Sequence, residues 1–463
     1  MVEYSAPIPP GQSWVFARLR RHVAELLRLA TPIIISRAGI LVMAAVDTVM
    51  VGQYSTLELA YTGIGAALII PIMLIFMGMT MGTLVFTSNA YGAGKTFECG
   101  AIWRRSIPYA FVLGLLAVCI TYFGPFLLAL TGQTENLSTQ GGAVMQVMGV
   151  GLPGYLLFMV SAFFLEGIRR PLPTMYIMIG ANVLNFALNF WFISGGWGVS
   201  EHGAIGAMWA TTISRWFLGI VALIYIWTMR DHLRFGIRVK RQDGWASWSN
   251  QRRLGYASGV SIGVEATAFA SLNIFAGWMG EEAVAAYSIG INVLSIMFMI
   301  ALGIGVASSV RVGIAFGRND VPDTILAGWT GLGVSTLILG ILGGVVCLFA
   351  PEIATFYTSD QNLINYVIPL IVICGIAIAL DGGQSVMANV LRGRQDVWIP
   401  SGLQTLSYIG ILIPLSWYLS LYLDRGPAGL FEAILLTSVF ALGALSIRFY
   451  LLCRQDRNNA QAH

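Results

Sequence analysis

From Leu26 to Gly52 the chain reads LLRLATPIIISRAGILVMAAVDTVMVG, an apolar run long enough to cross a bilayer, since about 20 residues suffice. Hydrocarbon offers the backbone no hydrogen-bond partners, so a spanning segment must satisfy its amides internally, as a helix or a closed barrel. Eleven further apolar runs follow, at approximately 58–92, 104–131, 139–167, 172–195, 204–229, 252–279, 284–316, 324–350, 362–391, 398–422 and 427–452. They are too long for barrel strands. The expected fold is therefore an all-α integral membrane protein of about twelve transmembrane helices. Charged residues make up only 10% of the chain and its mean hydropathy is +0.75. A soluble domain carries about 25% charged residues.

The cations set the topology. Of 26 Lys and Arg, 23 fall in the terminal segments and alternate loops on one side, and only Arg425 falls on the other. Arg37 and Arg215 lie inside helices. By the positive-inside rule both termini are cytoplasmic. The opposite loops are acidic, with Glu58, Glu135, Glu201, Glu281, Glu282, Glu352, Asp360 and Asp424. Residues 1–23 have no apolar core of the signal-peptide kind and read as a cytoplasmic arm. Residues 453–463 read as a cytoplasmic tail. The cysteines are scattered, without metal spacing, and the histidines fall in loops or near helix ends. Nothing here points to a cofactor, and the cations are too dispersed for a nucleic-acid surface.

The longest polar connection, 230–251, divides the chain into halves spanning 24–229 and 252–452 that resemble one another. LATP at 29–32 falls against YASG at 256–259, AYGAGK at 90–95 against AFGRND at 315–320, and LEGIRRPLP at 165–173 against LRGRQDVWIP at 391–400. Six helices, an even number, separate the copies. The two six-helix lobes should share one orientation, related by a pseudo-two-fold along the membrane normal, with a cavity between them.

Polar residues inside the spans mark the candidate sites. A carboxylate in hydrocarbon costs several kcal/mol unless paired, hydrated or protonated, so Asp47 reads as an ion or proton site. Asn185 and Asn189 share a helix face at i,i+4 spacing, and with Thr211 they reach the depth of Asp47. The four offer only oxygen ligands, which suits Na⁺ or a carboxylate that takes a proton; the alternative is that the amides merely tie helices together. In the second half Glu265 and Asp381 sit near mid-depth and could share a proton or clasp a cationic ligand. Asn292 and Gln384 are polar neighbours on the same set of helices. Met73, Met77 and Met297 could form a pliable wall for flat apolar ligands, or simply pack. Pro32 should bend the first helix. Glu166 is expected to pair at the interface with Arg169 and Arg170, and Arg37 to snorkel.

The segments LATPIIISRAGILVMAAVDTVMVG, AYGAGK, LPGYLLF, NVLNFALNFWF and LRG resemble the multidrug and toxic compound extrusion (MATE) transporters, in particular their NorM branch. The resemblance covers about residues 24–452. It implies a secondary antiporter that exports amphiphilic, often cationic small molecules in exchange for Na⁺ or H⁺, in a bacterial plasma membrane. It places the first-half cation site on Asp47, Asn185, Asn189 and Thr211, and the second-half site on Glu265 and Asp381. Ala377 stands where NorM members can carry a tyrosine, and Ser288 where a glutamine occurs. A monomer surrounded by lipid is expected. Rival readings are a lipid-linked oligosaccharide flippase, which would want cations in its cavity for a pyrophosphate, and a membrane-embedded transferase, for which no paired acidic motif appears.

Overall fold

A computed structural model describes residues 14–195, 201–239 and 244–462. Helices account for nearly all of them, and no β-strand occurs among the described residues. The elements are α1 (Trp14–Tyr54), α2 (Thr56–Thr80), α3 (Gly82–Gly92), α4 (Thr96–Tyr122), α5 (Gly124–Leu130), α6 (Glu135–Val150), α7 (Leu152–Gly167), α8 (Leu172–Ser194) and α9 (Gly203–Thr228). After a short 3₁₀ turn at Trp245–Trp248 come α10 (Ser249–Met279), α11 (Glu281–Gly317), α12 (Val321–Leu348), α13 (Ala350–Tyr357) and α14 (Gln361–Gly393). The chain ends with α15 (Trp398–Thr405), α16 (Ile413–Trp417) and α17 (Pro427–Ala462).

Among the described residues eleven stretches are long and apolar enough to span a membrane, and α6 with α7 makes a twelfth that is bent by 41°. The bend sits at Gly151, just before Pro153, which has no N–H to give the preceding turn. Two boundaries differ from the sequence reading. Part of the expected N-terminal arm, from Trp14 on, is already α1, and the expected tail continues α17 to Ala462. Arg18, Arg20 and Arg21 lower the local hydropathy without breaking the helix. Residues 1–13 of the arm and 240–243 of the connection lie outside the described residues.

The repeated motifs end helices in the same way. Gly94 (φ 75°) and Asn319 (φ 58°) follow α3 and α11, and Arg169 (φ 64°) and Gln395 (φ 64°) follow α7 and α14. Each is a left-handed residue just past a helix end, the conformation that closes a C-terminus.

α8 packs on α1 and α9, and α7 on α4 and α9. α14 packs on α11, α12 and α17. Between these groups α1 lies on α11, α2 on α10, and α3 on α11. The crossing of α3 and α11 is close at both of its symmetric points. A Cβ on Gly92 would stand 2.1 Å from the Ile314 carbonyl oxygen, and one on Gly317 would stand 2.1 Å from that of Asn89. On the same, basic side Asp323 of α12 binds three cationic or ring groups: Arg21 at 3.0 Å, Arg318 at 2.7 Å and the His22 Nε2 at 2.9 Å. Glu25 of α1 bridges Arg169 and Arg311. Both the helix crossing and this network close the basic end of the molecule.

Candidate functional site

α1 runs unbroken through Pro32 and carries Asp47 toward its far end. α8 places Asn185 and Asn189 one turn apart, and α9 adds Thr211. The structure brings all four together. Asn185 donates its amide to Asp47 Oδ1 at 3.1 Å and Asn189 does so at 2.6 Å. The Thr211 hydroxyl donates to Asp47 Oδ2. Asn185 also reaches Thr211 Oγ1 at 3.1 Å, and Asn189 reaches Asn185 Oδ1 at 3.2 Å. Asp47 is 5% exposed and both asparagines are sealed. Asp47 thus has neutral hydrogen-bond donors and makes no ion pair among the described residues. Asn189 Oδ1 is buried with no donor among the described residues. An acid held by three neutral donors, beside an amide oxygen with no donor of its own, suits a proton on the carboxylate, or a small hard cation once the amides turn their oxygens inward.

This cluster borders a cavity of about 450 Å³ whose wall comes from both halves of the chain. Asp47, Thr211, Arg37 and Arg215 face it from the first half; Glu265, Ser295, Arg392 and Gln404 face it from the second. Much of the remaining lining is thioether, from Met43, Met73, Met77, Met81, Met148, Met178, Met208 and Met299. Met73 and Met77 are therefore on the wall as the sequence suggested. Met297 is not: it is 3% exposed and packs in the core among Leu294, Ala301 and Ile378. Ser295 and Met299, one turn apart, turn the facing side of α11 toward the cavity, and Met297 lies on the opposite side of that helix. Asn292 also falls elsewhere. It is exposed and accepts a hydrogen bond from the Tyr357 hydroxyl at 2.7 Å, near the acidic end.

Glu265 and Asp381 divide between wall and interior. Glu265 lines the cavity, whereas Asp381 is 3% exposed and lies behind it. Ser438 donates to Asp381 at 3.1 Å, and Gln384 approaches it at 3.5 Å. The Gln384 amide also donates to the Tyr408 hydroxyl at 2.8 Å, and that hydroxyl is hydrogen-bonded to Glu265. The two acids are therefore joined through Tyr408 and Gln384 rather than by direct contact. Tyr408 went unnoticed in the sequence. It sits where the helix widens to i→i+5 bonding over Leu406–Leu412, ahead of Pro414, whose ring cannot tolerate the carbonyl four residues back. Ala377, two percent exposed, contributes only packing.

The inner charges also differ from expectation. Glu166 is not paired at the interface. It is fully buried and takes both bonds of a fork from Arg37 Nη2, at 3.1 and 3.2 Å. Arg37 does not snorkel; it is 5% exposed, with its guanidinium 5.4 Å from the Phe163 ring. Arg215 is held inside by the Met148 carbonyl at 3.1 Å. Arg392, expected to mark the basic surface, is 6% exposed and faces the cavity.

Twelve spanning segments around a central, thioether-lined cavity, with buried acids on two sides of it, define a polytopic membrane protein built to hold small molecules within the bilayer. The MatE family model matches residues 32–191 and 258–418. The probable multidrug resistance protein NorM of Caulobacter vibrioides is 35% identical over 439 residues, covering 94% of this chain and 93% of that protein. The protein of the same name from Xylella fastidiosa is 28% identical over 439 residues, 94% of this chain and 93% of its own length. The chain belongs to the MatE family, and both of these relatives carry the NorM name. Its fold is that of a solved structure described as the outward-facing conformation of a multidrug resistance MATE family transporter of the MOP superfamily, with a TM-score of 0.87 over 96% of this chain and 99% of that one, at 18% identity.

Proposed function

We propose that this chain is a secondary active multidrug antiporter. It exports amphiphilic, mostly cationic compounds across a bacterial plasma membrane in exchange for Na⁺ or H⁺, as a monomer with both termini in the cytoplasm. The observation that carries the reading is the placement of Asp47: a buried carboxylate liganded by neutral donors, on the same cavity wall that Glu265 faces from the other half. A coupling cation bound at Asp47, Asn185, Asn189 and Thr211 is cargo, and it adds positive charge to the space a cationic drug must occupy. Ion and drug then weaken one another's binding reciprocally. The methionine lining adapts to ligands of different shape. Glu265 and Asp381 attract the positive end of the drug.

With the basic end closed by the α3–α11 crossing and the Asp323 network, the described conformation is the one that faces the acidic side, where the ion loads and drug leaves. Pro32, where α1 lacks one backbone hydrogen bond, supplies the hinge. The relatives' multidrug names support the export reading over a pyrophosphate carrier. The test is efflux of ethidium from proteoliposomes under a Na⁺ gradient or a pH gradient imposed separately. Wild type should respond to one of them and Asp47→Asn to neither. If no gradient moves dye through the wild type, the antiporter reading is wrong.

A further inference from the structure

His22 lies in the first turns of α1, is 1% exposed, and joins the two halves of the chain at the basic end. Its ring meets α11 and α12 with different atoms. Arg311 Nη2 stands 2.6 Å from Nδ1, and Asp323 Oδ1 stands 2.9 Å from Nε2. Arg311 Nη1 also donates to the His22 carbonyl oxygen. A guanidinium has only hydrogens to offer. Nδ1 therefore accepts, and the one ring hydrogen is on Nε2, donated to Asp323. Only the neutral ring satisfies both neighbours. A second proton would put a hydrogen on Nδ1, turned against those of Arg311, and one positive charge beside another.

The surroundings do not absorb that charge. Arg311 faces the ring from α11 and Arg318 from just past its end; Arg18 and Arg21 flank it on α1, and Arg169 reaches Glu25 from the end of α7. The acids of the group are already engaged. Asp323 holds Arg21 and Arg318, Asp320 at the start of α12 lies 3.8 Å from Arg318, and Glu25 lies 3.4 Å from Arg169 and 3.3 Å from Arg311. The Nε2 bond to Asp323 exists with or without the extra proton, whereas the Nδ1 bond to Arg311 exists only without it. We propose that His22 is a proton-operated latch: acid on the basic side of the membrane breaks its bond to Arg311, frees α1 from α11, and opens that end of the molecule. Protonation and opening are then linked, each favouring the other. Histidine suits the role, because its charge changes between about pH 5 and pH 8. A part in drug loading rests on the antiport reading; the latch itself needs only that the basic end opens, whatever the coupling ion.

The test is amide hydrogen exchange of the purified full chain in detergent, read by mass spectrometry at about pH 8 and about pH 5.5, on either side of histidine titration. Each rate is divided by the intrinsic rate at that pH. The informative peptides cover residues 18–25 of α1 and 311–317 of α11. Wild type should lose about tenfold of its protection there in acid, the scale of one charge-assisted bond, while α13 at the acidic end keeps its own. His22→Gln still offers Asp323 an N–H but cannot take a charge, so its protection should change by less than about twofold. Arg311→Gln should be less protected at both pH values, yet without the acid step, because its amide oxygen can accept the new Nδ1 hydrogen. A step of wild-type size in His22→Gln overturns the latch, as does a wild type whose protection does not fall. Should His22→Gln aggregate on gel filtration, Arg311→Gln decides: the full step there overturns the latch, and its absence supports it. A wild type that moves no dye, but whose acid step vanishes in His22→Gln, keeps the latch and overturns only its part in drug loading.

Discussion

Breaking the Arg37–Glu166 pair from one side should carry most of the cost of breaking it from both. Glu166 is fully buried, and among the described residues the only cation bonded to it is Arg37, through Nη2 at 3.1 and 3.2 Å. A buried pair broken from one side typically costs about 3–5 kcal/mol, while replacing both members with apolar groups is often neutral or stabilising. Arg37 reaches the cavity, so water can solvate it when Glu166 is gone. Glu166→Gln, which also retains an acceptor, should therefore fall low, at about 1–3 kcal/mol. Arg37→Met strands a carboxylate with no route to water and should reach about 3–5 kcal/mol. The double variant should lose about 2 kcal/mol less than the sum of the singles. Thermal unfolding in detergent can be followed with a thiol-reactive dye, because Cys99, Cys374 and Cys453 are buried and report when the core opens. Strict additivity of the two substitutions would refute the pairing, and with it the claim that this arginine is neutralised and leaves the cavity's charge to other residues.

Other expected outcomes are as direct. Asp47→Asn should abolish gradient-driven dye efflux while melting with the wild type, since the amide oxygen still accepts from Asn189; full efflux would remove Asp47 from the coupling role. Glu265→Gln should weaken binding of a permanently charged dye by about tenfold and that of a neutral analogue by less than about twofold; equal losses would argue against charge pairing, in a binding assay on purified protein. Gly317→Val should force α3 and α11 apart, because its Cβ would meet the Asn89 carbonyl oxygen at 2.1 Å. Spin labels on α3 and α11 should report longer distances at the basic end, with the same result for Gly92→Val. Unchanged distances would mean that this crossing does not close that end.

The spans were legible because each is apolar over the thickness of a bilayer and the cations collect between them. The Asp47 cluster was approachable because two asparagines at i,i+4 share a face whatever the tertiary arrangement. Helix phase was not legible. Met297 and Met299 look equivalent in sequence, and only the position of the cavity distinguishes the wall residue from the core one. Arg392 and Glu166 were misplaced for a common reason: a charge within a few residues of a span end reads as interfacial, yet the bundle here is thick enough at its basic end to bury it. The partner of Glu166 lies 129 residues away in sequence, beyond any local pattern. Tyr408 was hidden by a helix whose register changes at the widened turn.

Once Arg37 is neutralised by Glu166, four charged side chains remain on the cavity wall: Asp47 and Arg215 from the first half, Glu265 and Arg392 from the second. None of the four makes an ion pair among the described residues. The formal charges of these four groups sum to zero. Neutralising Asp47 with a cation or proton leaves the two arginines facing one carboxylate. Two unit charges about 10 Å apart interact by about 1.7 kcal/mol at an effective dielectric near 20, roughly a 15- to 20-fold change in affinity. Under the proposed antiport, that is enough to loosen a bound cationic drug without any new contact. The linkage is measurable as the ratio of dye dissociation constants with and without the coupling ion. It should be about tenfold or more in wild type and close to one in Asp47→Asn.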